Sequence, residues 1–277
     1  PLKYYDSIFK NPVLRDARAY IIPANQSDFA TATRFVNALI RTGIVIHQAT
    51  ADFTHAGKAY PKGSYIVKAD QSFRPHIIDM FEPQDHPNDF QYPGGPPVPP
   101  YDAAGWTLAY QMGVEFDRSL ENVTGPFQRL KTGELIPLEG KVETTAKAGY
   151  VLNAANNHSF TAVNELLKNN IPVYRTSTAL NGAAIGSFFV PVNTKSKEWI
   201  SKNASTLGAD AIAVDKKPTA IEQIAPARIA LWDTYGGSMP SGWMRWIMEQ
   251  FHFDAEVIYA QDIDKGNLKN KYDVIIF

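Results

Sequence analysis

The sequence contains no cysteine, which excludes disulfide bonds, thiolate nucleophiles and cysteine metal sites. It also has no window near the ~18 consecutive apolar residues that a membrane span requires, and no charged-then-apolar signal peptide at its start. Blocks of like charge are missing too. The 27 basic and 28 acidic residues leave a formal net charge of −1, which creates no field to attract a polyanion. We therefore expect no membrane span and no nucleic-acid partner.

Several catalytic motifs are also missing from the sequence. It has no Gly-x-Ser-x-Gly turn, no Gly-x-Gly-x-x-Gly loop and no Walker lysine. None of its six histidines is followed by glutamate in the His-x-x-Glu spacing of a zinc peptidase. Nucleophilic catalysis by this segment therefore has little support.

The two ends of the sequence are unusual for a natural protein. The chain begins Pro-Leu-Lys rather than with methionine, and residues 273–277 form an apolar run of the kind found in buried strands. We expect a segment of a longer polypeptide. An intact mass equal to the 30.8 kDa of this sequence would contradict that expectation.

The 44% of hydrophobic residues can form a sizeable core, and their pattern predicts an α/β fold. Residues 19–23 form a strand candidate, and Ser27-Asp28 is a helix-capping signal before a helical pattern at 29–39. Residues 44–47 and 64–67 read as two further strands, separated by a turn-rich segment. The predicted unit is β-α-β-β.

The same order of elements recurs later in the chain. Strand candidates at 149–152, 171–174 and 186–190 surround a helix at 160–167 that follows a cap region. Gly-Ser-Tyr-Ile-Val at 63–67 also matches Gly-Ser-Phe-Phe-Val at 186–190. We therefore expect an internal repeat, with chance coincidence of two common β-α-β patterns as the alternative.

A third unit begins at 227–232, a strand that leads into a glycine-rich loop and a helix at 243–251. The next strand is expected at 256–259, and alternation of this kind favours parallel strands. Trp243 and Trp246 stand at helical spacing, which predicts that they lie in the core. The loop stands where a helix N-terminus can receive an anion, but its match to a phosphate loop is weak, and a glycine turn with a Pro-Ser helix start is favoured.

Residues 83–102 hold seven of the nineteen prolines, a Gly-Gly pair and aromatic residues. Polyproline-like stiffness with aromatic flanks favours an ordered strap over a free linker. Around it stand two His-x-x-Asp spacings, His76/Asp79 and His86/Asp89, of the kind that can hold a metal. Pro87 prevents a regular helix through His86, so loop hydrogen bonds are the simpler explanation.

Six segments of the chain resemble the region that follows the peptidase domain in large bacterial zinc carboxypeptidases of the carboxypeptidase A type. They are residues 16–23, 73–90, 92–97, 99–102, 105–109 and 235–243. The resemblance implies a secreted or periplasmic parent that removes C-terminal residues from peptides, with its zinc in a peptidase domain outside this segment. It also implies that the last region is similar to a class I glutamine amidotransferase, whose nucleophilic cysteine this chain lacks.

The predicted fold class is thus α/β, with repeated β-α-β-β units followed by the start of a flavodoxin-like or amidotransferase-like parallel domain. The predicted segments are a lead-in (1–18), a first α/β unit (19–82), a Pro-rich strap and connector (83–148), a second α/β unit (149–222) and the amidotransferase-like start (223–277).

The leading hypothesis is a non-catalytic accessory region that contacts its own peptidase domain and carries no cofactor itself. The alternative is a module that binds a peptide, a carbohydrate or a cell-envelope protein. A hydrolase that uses His86 and Asp89 ranks last. The candidate binding residues are Arg74, His76, Asp85, His86, Asp89, Tyr101, Trp106, Gly236, Gly237 and Ser238.

Overall fold

The computed structural model describes residues 17–83, 88–99, 106–180 and 182–277. Contacts divide the chain into two units, residues 1–137 and 138–277. Each unit contains both helices and sheets, so the predicted α/β class is confirmed at that level. Among the described residues, no helix is both long enough and apolar enough to cross a membrane.

The first unit is built on a five-stranded antiparallel sheet with the order β6-β1-β5-β2-β7. Its strands are β1 (Ala19–Ile22), β2 (His47–Ala49), β5 (Tyr65–Lys68), β6 (Asp117–Ser119) and β7 (Phe127–Arg129). A separate hairpin is formed by β3 (Phe53–His55) and β4 (Lys58–Tyr60). Its helices are α1 (Phe29–Arg41), α2 (Arg74–Phe81) and α3 (Leu108–Gln111).

Helix α1 begins where the sequence predicts, because the Asp28 carboxylate accepts a hydrogen bond from the Thr31 N–H at 2.9 Å. Its apolar face, which includes Phe35 and Leu39, is buried against the sheet. A smaller cluster around Phe53 covers the opposite face of the sheet. Apolar side chains on both faces explain why β1 is buried at every position.

Two predictions for this unit need correction. The strand expected at 44–47 begins only at His47. Ile44 and Ile46 are apolar because they are buried in the core, and they precede the strand. The segment expected to be only turn-rich contains the β3-β4 hairpin, whose tight turn has Ala56 and Gly57 at positive φ.

The second unit contains another five-stranded antiparallel sheet, with the order β11-β8-β10-β9-β12. Its strands are β8 (Gly149–Leu152), β9 (Val173–Thr176), β10 (Phe188–Pro191), β11 (Ile212–Val214) and β12 (Ile221–Ile224). Its helices are α4 (Asn157–Lys168) and α5 (Thr194–Asn203). The boundary predicted at residue 222 falls inside β12.

The two sheets have the same strand order when β1 is equated with β8, β2 with β9, and β5 with β10. We call residues 19–129 the first module and 149–224 the second module. A buried serine has the same partner in each: Ser64 Oγ accepts from the Ala24 N–H, and Ser187 Oγ accepts from the Ala154 N–H, both at 3.0 Å. Each alanine lies two residues after its strand.

The glycine before each serine has the same conformation. Gly63 has φ +90° and Gly186 has φ +88°, values that favour glycine. The Gly63 N–H donates to the Ala49 carbonyl and the Gly186 N–H donates to the Thr176 carbonyl, both at 2.9 Å. The matched sequences Gly-Ser-Tyr-Ile-Val and Gly-Ser-Phe-Phe-Val thus have matching local structure.

The second unit ends in residues 227–277, which we call the parallel segment. It contains β13 (Ile229–Trp232), α6 (Met239–Gln250), β14 (Ala255–Ile258), α7 (Ala260–Asp264), α8 (Leu268–Lys271) and β15 (Val274–Ile276). The strands are parallel, as predicted, in the order β14-β13-β15. Helix α6 starts earlier than predicted, because Ser238 caps it and Pro240 fits its first turn.

Candidate functional site

The candidate residues of α2 bind to the protein itself. Arg74 is 7% exposed, and its Nη1 donates to the carbonyls of Ala17 (3.1 Å) and Ala69 (3.4 Å). His76 Nε2 lies 3.0 Å from Thr42 Oγ1 and so joins α2 to the end of α1. These contacts explain the conformation of both side chains, and their role in ligand binding stays a prediction.

The proline-rich segment forms a small hairpin where it is described. The Gly95 N–H donates to the Tyr92 carbonyl at 2.8 Å, with Pro93 and Gly94 (φ +76°) between them, which is a type II turn. The Asp89 carbonyl accepts from the Val98 N–H at 2.9 Å. Apart from Gly95, the described residues 88–99 are exposed.

Three of the candidate residues, Asp85, His86 and Tyr101, lie outside the described residues. His86 is also the histidine of the hydrolase alternative, so that alternative stays a prediction. Trp106 is half-buried, and its carbonyl accepts from Gln111 Nε2 at 2.6 Å. Within the described ranges, no group of three or more His, Asp or Glu side chains is arranged to hold a metal ion.

The glycine-rich loop before α6 is exposed. Gly236 (φ +96°) and Gly237 (φ +82°) have open space where a side chain would stand. Ser238 Oγ accepts from the Ser241 N–H at 3.3 Å, which makes it the helix cap. The loop therefore has the conformation of a glycine turn with a capped helix start, and anion binding there stays a prediction.

A serine–histidine pair in the first module was not found from the sequence. His55 Nε2 lies 2.7 Å from Ser119 Oγ, but the serine hydroxyl donates to the Glu121 carbonyl at 2.9 Å. The histidine is then the donor, whereas a nucleophilic serine must donate to its base. Beside this pair, burial and then the Asp117 carboxylate raise the pKa of Tyr60 to about 12. The arrangement is structural.

A cavity in the described part of the second unit was also missed. It has a volume of about 400 Å³ and lies between α4, the sheet of the second module and the residues that follow α6. We call it the α4 cavity. Its apolar lining includes Phe160, Val163 and Leu167 of α4, together with Phe188 of β10 and Phe253 after α6. A volume of this size is typical of small-molecule sites, which span about 300–1,000 Å³.

One ion pair and one histidine–carboxylate hydrogen bond hold one side of the α4 cavity. Lys168 Nζ lies 2.9 Å from Asp254 Oδ1, and His252 Nδ1 lies 2.8 Å from Glu165 Oε1. Asn164 Nδ2 also donates to the Phe251 carbonyl at 2.9 Å. These contacts connect α4 to the residues after α6, so most of the polar groups on this side already have partners.

Arg175 on β9 contributes the remaining charge. It follows Val173 by two positions, so its side chain lies on the face of the sheet that bears the cavity. Within the described part of the chain, its guanidinium forms no hydrogen bond and no ion pair. The guanidinium passes close to Gly186, where an added Cβ would lie 3.3 Å from Arg175 Nη2. A side chain other than glycine would therefore crowd the arginine.

Helix α6 presents an apolar face to solvent. Met239, Trp243, Trp246 and Ile247 form this α6 outer face, and the two tryptophans are 60% and 51% exposed. The side that contacts the sheet carries Ser241 and Met248, about 180° away at 100° per residue. The prediction that Trp243 and Trp246 lie in the core was wrong, because the sheet covers the side of α6 that carries Ser241 and Met248.

Comparison of the chain with family models, with curated proteins and with solved structures finds no match.

Proposed function

We propose that the chain is a non-catalytic accessory region of a secreted or periplasmic bacterial zinc metallocarboxypeptidase, a protein that removes C-terminal residues from peptides. Zinc and the catalytic groups would belong to the peptidase domain of the same polypeptide. The α6 outer face carries this proposal, because exposed apolar patches mark sites of contact with another protein surface. We assign this face to the peptidase domain.

The arrangement of the α6 outer face supports its role as a contact surface. Its members recur at positions 239, 243 and 246–247, the spacing by which an amphipathic helix enters a partner groove. Trp243 and Trp246 touch edge to face, with ring centroids 5.9 Å apart. Large aromatic side chains of this kind dominate the energy of protein interfaces.

Two finer proposals concern the fold. We propose that the two modules arose by duplication, which the equal strand orders and the matching serine and glycine hydrogen bonds support. We also propose that the parallel segment begins a flavodoxin-like or amidotransferase-like domain. Its strand order, in which the first strand lies between the second and the third, is the start of the doubly wound order 2-1-3-4-5.

The complete reading frame that encodes these residues tests the accessory proposal. We expect it to encode a His-x-x-Glu motif before residue 1, and a frame without one would refute the proposal. If the motif is present, iodide quenching of tryptophan fluorescence compares the full protein with this chain. Trp243 and Trp246 should be protected in the full protein and quenched in the chain alone, with the double variant W243F/W246F identifying their signal.

The α4 cavity favours a second candidate function, a module that binds a peptide or another small ligand. Apolar walls with a small number of placed polar or charged groups are the common form of a ligand site, and Arg175 is such a group here. Binding of apolar probes to the purified chain tests this function independently of any peptidase domain. The absence of binding by both charged and uncharged probes would refute it.

A further inference from the structure

The α4 cavity combines an apolar volume with one available guanidinium. Its walls are formed by aromatic and aliphatic side chains from α4, β10 and the residues after α6. Lys168 and His252 also line it, but Asp254 and Glu165 pair with them. A ligand that enters the cavity therefore meets apolar surface and Arg175.

We infer that the α4 cavity binds a molecule that presents an apolar group next to a single carboxylate, with the carboxylate on Arg175. The inference rests on the second candidate function and names its ligand class. The planar guanidinium fork matches a carboxylate with two parallel hydrogen bonds. One arginine supplies one positive charge, which fits a monoanion, and the apolar walls accept the rest of the ligand.

One acidic side chain competes for Arg175. Glu222 on β12 lies directly opposite it in the β9–β12 pairing, although no ion pair joins the two. An exposed pair of this kind contributes little, because solvent screens it and both side chains lose freedom. A carboxylate in the cavity also gains the apolar contacts that Glu222 cannot make, so the ligand should displace any transient pairing.

Two kinds of molecule carry this chemistry, a free apolar acid and the end of a peptide with an apolar last residue. N-acetyl-L-phenylalanine imitates the peptide end, and 3-phenylpropionate is the free acid without the peptide group. Equal affinity for the two indicates a free acid, whereas clearly tighter binding of N-acetyl-L-phenylalanine indicates a peptide end. N-acetyl-L-phenylalaninamide has the same shape without the charge and serves as the neutral control.

Isothermal titration of the purified chain provides the test. We expect N-acetyl-L-phenylalanine or 3-phenylpropionate to bind with a Kd of about 1 mM or below, and the amide to bind about 10- to 100-fold more weakly. The variant R175Q should lose the preference for the acid. R175K should keep part of it, because lysine retains the charge without the fork.

Two variants separate the charge from the cavity. E222Q removes the competing carboxylate and should bind the acid at least as tightly as the unchanged chain does. A227W adds a large side chain at an exposed residue that lines the cavity and should weaken binding of acid and amide alike. Circular dichroism and thermal melting confirm that each variant is folded.

Three results would overturn the inference. They are equal binding of acid and amide by the unchanged chain, an acid preference that survives in R175Q, and no binding of either acid up to about 10 mM. The first two refute only the ligand class. Failure of every probe, the amide included, also refutes the binding module, while the reading-frame test of the accessory proposal stays independent.

Discussion

Replacement of Ser64 or Ser187 by alanine should destabilise the two modules by similar amounts. Ser64 is fully buried, and its hydroxyl accepts from the Ala24 N–H at 3.0 Å and donates to the Pro61 carbonyl at 2.7 Å. The alanine variant keeps the size of the site but removes both hydrogen bonds. The Ala24 N–H and the Pro61 carbonyl each lose one hydrogen-bond partner.

Ser187 makes the same contacts in the second module. Its hydroxyl accepts from the Ala154 N–H at 3.0 Å and donates to the Ala184 carbonyl at 2.6 Å. Each lost hydrogen bond costs about 0.5–1.5 kcal/mol, and an unsatisfied buried group costs more. Because Ala184 is exposed, water can hydrogen-bond to its carbonyl in place of the Ser187 hydroxyl, which reduces the cost of S187A. We expect about 2 kcal/mol for S64A and about 1–2 kcal/mol for S187A.

Urea denaturation followed by circular dichroism measures these losses of unfolding free energy. In a thermal melt, each variant should lower the melting temperature of its own unit by about 3–8 °C. The control is S201A, at an exposed position of α5, which should change the free energy of unfolding by no more than about 0.5 kcal/mol. If S64A cost about 2 kcal/mol while S187A matched S201A, the two serine sites would not be equivalent and the prediction would be wrong.

Two further changes give predictions of opposite kinds. A Cβ at Gly149 would lie 2.4 Å from the Val190 carbonyl oxygen, so G149A should lower the free energy of unfolding by about 1–3 kcal/mol. Gly242 lies within α6 with open space around it, so G242A should raise the free energy of unfolding by about 0.5–1 kcal/mol. Urea denaturation measures both changes. Hydrogen bonds from Arg228 lower the pKa of Asp273 to about 2, below its ordinary value near 4. Between about pH 2 and 4 the unfolded chain therefore binds more protons than the folded chain. The stabilisation provided by the Asp273 carboxylate is full above about pH 4 and is lost as the pH falls towards 2. D273N should remove this stabilisation. A carboxyl NMR titration that gives an ordinary pKa for Asp273 would contradict this.

Local patterns in the sequence predicted the elements that depend on local chemistry. The strand at Gly149–Leu152 has the predicted bounds, and α1 begins at Phe29 because the Asp28 cap is a local signal. The start of β2 was misplaced because apolar residues report burial, not hydrogen bonding in a sheet. Ile44 and Ile46 are buried without belonging to the strand.

The α4 cavity could not be predicted in the same way, because its walls come from residues up to a hundred positions apart, from Ala154 to Asp254. One local signal was present. Arg175 alternates with Val173 on a strand, which predicts a charged side chain on the core-facing side of a sheet. The exposure of Trp243 and Trp246 had no such signal, since α6 carries apolar residues such as Met248 on its other side as well.

An NMR titration of N-acetyl-L-phenylalanine into the ¹⁵N-labelled chain tests most directly whether the α4 cavity is the ligand site. We predict that amide shift changes concentrate at Asn164, Gly186 and Phe253 and saturate with increasing ligand. In R175Q the same changes should require about 10- to 100-fold higher ligand concentrations. Saturating changes centred on Arg74 and His76 instead would contradict this assignment and place the ligand site in the first unit.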